Sequence, residues 1–135
     1  MNRVYVFTIS PVPKGRPKFS TVGGFPRAVT PSKTRRFEKQ IAILATELNI
    51  KKNWKPITGK PIKVEIIFFL ERPKHIPKSR TLPIVKPDLD NLYKSVTDAL
   101  NEIVWEDDNL ICEAQIKKEY SSDKAFIVLN LEVIE

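Results

Sequence analysis

The sequence predicts an α/β (α+β) domain: a mixed sheet of about four strands carrying two main helices. Three observations predict it. Four segments alternate apolar residues at period two, two segments repeat them at helical spacing, and they follow one another as β-loop-α-β-loop-α-β-β. At 135 residues the chain can bury one proper core and is too short for two, so residues 1–135 read as a single domain.

From Arg3 to Ser10, Val4, Val6 and Thr8 alternate with Tyr5, Phe7 and Ile9, the β-branched and aromatic content of a strand. Residues 11–30 hold Pro11, Pro13, Pro17 and Pro26 with Gly15, Gly23 and Gly24, so no regular element is expected there. Thr30-Pro31 suits a helix start, and Phe37, Ile41, Leu44 and Leu48 then form one apolar stripe, giving a helix over about 31–48. After Pro56 and Gly59-Lys60-Pro61, the positions Ile62, Val64, Ile66, Phe68 and Leu70 alternate as a second strand. Ile67 and Phe69 fill its other side, which predicts a central strand covered on both faces. Residues 71–87 are proline-rich and irregular. Leu89, Leu92, Tyr93, Val96, Ala99, Leu100 and Ile103 predict an amphipathic helix over about 89–104. Two strands follow, through Leu110, Cys112, Ala114 and Ile116 and then Ala125 to Val133, with Ser121-Ser122-Asp123 read as a hairpin turn.

Composition narrows the function. Hydrophobic residues at 41% and charged residues at 29% fit a globular protein. The longest apolar run, Ile66 to Leu70, is far below the roughly 20 residues of a membrane span, and the opening residues lack the apolar core of a secretion signal. Cys112 alone forms no internal disulfide or zinc cluster, so a cytoplasmic location is expected. The net charge of +7 is unevenly spread. Lys14, Arg16, Lys18, Arg27, Lys33, Arg35, Arg36 and Lys39 are opposed only by Glu38, and Arg72, Lys74, Lys78, Arg80 and Lys86 form a second basic stretch. Such flanks suit a polyanion, although solvation alone also explains a basic surface. Between Asp88 and Asp108 the sign reverses: Asp88, Asp90, Asp98, Glu102, Glu106, Asp107 and Asp108 are relieved only by Lys94. Carboxylates repel a phosphate backbone unless a divalent cation lies between them.

Asp88 and Asp90 straddle the expected start of the second helix. Either they cap it and favour its dipole, or they grip a cation through oxygen ligands, with Mg²⁺ or Mn²⁺ the natural guests. Lys94 lies four residues after Asp90 on the same face, as a surface salt bridge or as a charge for the site. Glu106-Asp107-Asp108-Asn109 is either a polar turn or the completion of a metal site. His75 is the sole histidine, which argues against a histidine general base. Tyr93, Trp105 and Phe126 read as core residues.

The segment KPDLDNLYKSVTDALNEIVWEDD resembles the signature of the RusA family of Holliday-junction resolvases, D-x-D-N-x-x-K…D-A-L…D-D, at Asp88, Asp90, Asn91, Lys94, Asp98, Ala99, Leu100, Asp107 and Asp108. The early PVPKGRPKF is similar to the basic, proline-bounded loop of many members, so the likeness spans about residues 9–120. The resemblance implies a homodimeric, Mg²⁺-dependent endonuclease that nicks DNA four-way junctions symmetrically. It also implies essential aspartates at Asp88, Asp90 and Asp108, with Asp107 adjacent and Lys94 important. Some members carry a basic residue directly before the first aspartate; here Pro87 stands there, with Lys86 one position earlier. On this reading Lys14, Arg16, Lys18, Lys33, Arg35, Arg36 and Lys86 contact DNA backbone. The rival readings are a non-catalytic nucleic-acid-binding module and a phosphoryl-transfer enzyme for small phosphates.

Two expectations follow from the helix over 89–104. Asp98 sits two turns along its exposed face, so Asp98→Asn is expected to be mild. A straight helix of that length, roughly 24 Å, also separates Asp108 from Asp88 and Asp90, which favours a site shared between two chains.

Overall fold

The computed structural model describes residues 1–15, 18–20, 27–29 and 31–135. Its elements are β1 (Asn2–Phe7), β2 (Lys18–Ser20), β3 (Arg27–Val29), α1 (Ser32–Lys52), β4 (Ile62–Glu71), α2 (Leu89–Ala99), β5 (Ile111–Ser121) and β6 (Phe126–Val133). A short 3-10 turn, Asp108–Leu110, leads into β5. β1, β6, β4 and β5 form one mixed sheet in that order, with β4 parallel to β5 and antiparallel to β6. This is the expected α+β architecture. One addition is the antiparallel β2–β3 ribbon, inside the stretch expected to hold no regular element.

The last two strands do not form the expected hairpin. β4, apolar on both sides, takes the centre, and β5 and β6 flank it, so the turn at Ser121–Asp123 steps across the end of β4. β4 is central as expected, but among the described residues only one of its faces is covered. Ile62, Val64, Ile66 and Phe68 are fully buried with Tyr5, Phe7, Ile127 and Leu129 against Phe37 and Ile41 of α1 and Leu92 and Val96 of α2. On the opposite face Ile67, Phe69, Phe126 and Val128 stay half-exposed, and Val4 and Val6 are exposed. Phe69 and Phe126 stack there at 4.3 Å between ring centroids. Phe126 is therefore a residue of the open face, whereas Trp105 is fully buried and Tyr93 packs half-buried on the core.

Both helices differ in length from expectation. α1 runs four residues past 48 and ends where Asn53 adopts a left-handed conformation (φ 56°), with Trp54 N–H donating to Asn49 O at 2.9 Å. Pro31 precedes its first residue, and Thr30 lies outside the described residues. α2 stops at Ala99, well short of 104. Glu102 turns the chain with φ 69°, its N–H donating to Trp105 O at 2.7 Å, and the Trp105 indole donates to Asn101 Oδ1 at 3.0 Å. Ile57 N–H then donates to Val104 O and Glu106 N–H to Ile57 O, both at 2.9 Å, pinning the returning chain. A buried bridge ties this turn to the sheet: Tyr5 Oη donates to Asn49 Oδ1 at 2.7 Å, and Asn49 Nδ2 to Ile103 O at 2.9 Å. No described helix is long and apolar enough to cross a membrane.

Candidate active site

The start of α2 is held from two directions. Lys118 on β5 donates through Nζ to Val85 O at 2.7 Å and Pro87 O at 3.2 Å, and Tyr120 N–H donates to Thr81 O at 2.8 Å. From the other side, Lys14 N–H donates to Asn91 O at 2.9 Å, laying the first basic loop against the helix. That approach requires a glycine. Gly15 N–H donates to Thr34 Oγ1 at 3.1 Å, and a Cβ on Gly15 would stand 2.8 Å from Pro31 Cγ.

Asp88 takes the N-cap position of α2 in extended conformation, and its carbonyl accepts from Leu92 N–H at 3.2 Å. Its carboxylate, however, makes no capping hydrogen bond. Capping thus does not account for the side chain. Asp90 is exposed in the first turn, where the helix dipole favours negative charge. Among the described residues neither carboxylate enters a salt bridge.

Because α2 has only 11 residues, about 16 Å, and the chain doubles back after it, Asp108 returns to the neighbourhood of Lys94 within one chain. Asp88 and Asp90 nevertheless do not join Asp108 in one group of acids among the described residues. Burial raises the Asp108 carboxyl above the usual range, a hydrogen bond with Asp107 adds to this, and Lys94 opposes it. Asp107 caps the 3-10 turn, its Oδ1 accepting from Asn109 N–H at 3.5 Å.

Asp98 is not an exposed bystander. Its side chain is 19% exposed and accepts from Lys94 Nζ at 2.8 Å and Lys14 Nζ at 3.1 Å, while Lys14 also pairs with Glu38. Burial pushes the Asp98 carboxyl up, but the two lysines outweigh it and hold the carboxyl below the usual range. The Lys94 ammonium is raised, chiefly by its bond to Asp98. Lys14 is also raised: burial lowers it, but Glu38 and Asp98 together prevail.

Lys33, Arg35 and Arg36 are exposed at the start of α1, whose first turn holds no acid, and Lys86 is exposed just before Asp88. Lys14 points its ammonium inward. Arg16 lies outside the described residues, as does the side chain of Lys18.

The donor set here is carboxylate oxygen, which fits a hard divalent cation, and the uncapped Asp88 carboxylate leaves a ligand in place for one. Among the described residues no three acids already converge into a cage. The acids form two groups, Asp88 with Asp90 and Asp107 with Asp108. Sequence reasoning missed Glu38, Asp98 and Lys118 as organisers. Lys118 was findable: it continues the inward phase of Ala114 and Ile116, where a lysine needs a buried-side partner.

A mixed sheet covered by helices on one face, with Asp88 and Asp90 at the head of α2 and Lys94 one turn along it, defines an α+β domain with an acidic helix start. The chain belongs to the RusA endodeoxyribonuclease family, whose model matches residues 8–132. It is also similar to YqaN of Bacillus subtilis (strain 168), described as an uncharacterized protein, at 30% identity over 139 residues covering 94% of this chain and 95% of that one.

Proposed function

We propose that this protein is an Mg²⁺-dependent, structure-selective endodeoxyribonuclease that resolves Holliday junctions by paired symmetric nicks, with Mn²⁺ able to substitute. The observation that carries the reading is Asp88, which stands at the head of α2 with its carboxylate unused by the cap. Asp88, Asp90 and Asp108 would hold the ion, with Asp107 adjacent. Bound there, the ion supplies Lewis-acid polarisation of a phosphate and a lowered pKa for a water. Lys94, held by Asp98, places a positive charge where negative charge develops on the phosphate oxygens. Lys33, Arg35, Arg36 and Lys86 offer exposed cations to the DNA backbone, giving affinity without sequence readout.

A four-way junction has two-fold symmetry, so paired nicks call for a two-fold dimer. The open sheet face, with Val4, Val6 and the Phe69–Phe126 stack, is the surface best suited to a second copy.

The test incubates the protein and Mg²⁺ with labelled junction, linear duplex or small phosphate esters. Symmetric nicks in the junction alone are expected. Binding to junction without cleavage, in Mg²⁺ or Mn²⁺, would identify a non-catalytic module, and turnover of small esters a different enzyme. Asp88→Asn, Asp90→Asn and Asp108→Asn should each abolish nicking while keeping or tightening junction binding, since each removes negative charge near phosphate. Near-normal cleavage by any one removes that residue from the ligand set.

A further inference from the structure

The segment between β4 and α2 carries an apolar tip that the core does not use. Leu82 is 59% exposed, Ile84 81% and Val85 53%, while Pro83 between them is buried. This is no loosely held loop. Its backbone is fastened to β5 at three points, through Thr81 O, Val85 O and Pro87 O. The fastening leaves three aliphatic side chains outward at adjoining positions, unlike the singly scattered exposed apolar residues that need no explanation. Val85 is three residues from Asp88, so the tip lies within about 11 Å of the acidic helix start along the chain. From Arg72 to Pro87 there are five basic residues and no acid, and Lys78, Arg80 and Lys86 are exposed around the tip.

We propose that Leu82, Ile84 and Val85 form an apolar wedge that packs on nucleobases unstacked at a DNA branch point, and so select branched over continuous duplex beside the acidic site. The inference rests on the nuclease reading above and adds what selects the substrate. Charge identifies the occupant. A polyanion satisfies the cations Lys78, Arg80 and Lys86 that flank the tip in sequence, whereas a second copy of the same loop would be repelled by them. Apolar side chains inserted at a base step must unstack it, which costs more in a continuous duplex than where pairing is already interrupted. An exposed apolar tip flanked by cations therefore discriminates in favour of a branch point.

The experiment uses the full chain in EDTA, so that nothing is cut, with a four-way junction carrying 2-aminopurine at the crossover and a duplex of matched sequence. Wild type should raise the crossover fluorescence and prefer the junction. Leu82→Ser/Ile84→Ser/Val85→Ser should lose the fluorescence rise and about tenfold of the junction-over-duplex preference, with duplex affinity unchanged. The matching triple methionine variant, which keeps apolar side chains, should retain both. Because all three positions are exposed, the melting curves of both variants should overlay wild type. A serine variant that keeps the rise and the preference overturns the wedge while leaving the nuclease reading intact. Loss of self-association by the serine variant, seen by sedimentation without DNA, also overturns it, since the tip would then be a subunit contact. Wild type that binds junction no better than duplex overturns both.

Discussion

At the scale of single residues, Asp98 decides more than its neighbours' charges suggest. It draws together a lysine of the first basic loop and the lysine of the proposed site, so its substitution should act on both. Asp98→Asn should slow junction nicking about tenfold through misplacement of Lys94, with junction binding retained. Stability should fall by about 1 kcal/mol, discounted because Lys94 is largely exposed. The sign of the pH dependence follows from the lowered Asp98 carboxyl: its contribution is fully present above the usual carboxylate range and is lost as pH falls through the lowered value. Urea titrations of wild type and Asp98→Asn should therefore differ at neutral pH and converge in acid. A gap that persists in acid would detach the effect from this carboxylate. Spacing along the helix did not reveal this role, because the partner from residue 14 arrives through a loop whose path is set by the contacts of Lys14 with Asn91 and of Gly15 with Thr34.

At the scale of elements, alternation and helical spacing located every strand of the main sheet and both helices, while the ends of the helices escaped them. Leu100, Ile103 and Val104 keep the apolar rhythm of α2 because the turn that follows is buried as well. What stops the helix is local and polar: the left-handed Glu102 and the Asn101 side chain that satisfies Trp105. The carboxylates of the candidate site were all legible as a charge reversal, yet their grouping was not, since it depends on that stop. Two outcomes belong at this scale. Replacing Lys33, Arg35 and Arg36 of α1 by alanine should weaken junction binding and lower the slope of log affinity against log salt by about one per lost phosphate contact. An unchanged slope places this helix start off the DNA. Lys118→Met should release the carbonyls of Val85 and Pro87 and cut nicking more than it cuts binding, with faster amide exchange at residues 85–90 as the structural readout.

At the scale of the whole molecule, the sheet has one covered face and, among the described residues, one open one, and the apolar content of β4 did not distinguish the two. Val6 makes the distinction measurable. It is exposed, it faces Val128 across the strand pair, and that residue in turn faces Ile67. A cation there is tolerated by a lone chain and not by a packed pair of sheets. Val6→Lys should leave the melting temperature of the isolated chain nearly unchanged, shift sedimentation from dimer to monomer, and convert paired nicks to slow single ones. A dimer that survives the substitution moves the interface off this face.

The pairing of β1 with β6 has a consequence for how the protein comes into being. Asn2 lies opposite Glu132, so β1 waits for β6, the last of the strands to be made, and β6 also supplies one side of β4. During synthesis β6 must emerge from the ribosome before either contact can close. Until then Tyr5 and Phe7 have no strand beside them, and the outer edge of β4 is unpaired. Such distant pairing slows folding and lengthens the time that strand edges stand bare. A ribosome stalled short of residue 126 should therefore hold a chain that proteases digest from β1 onward, and one stalled well beyond β6 a chain that resists them.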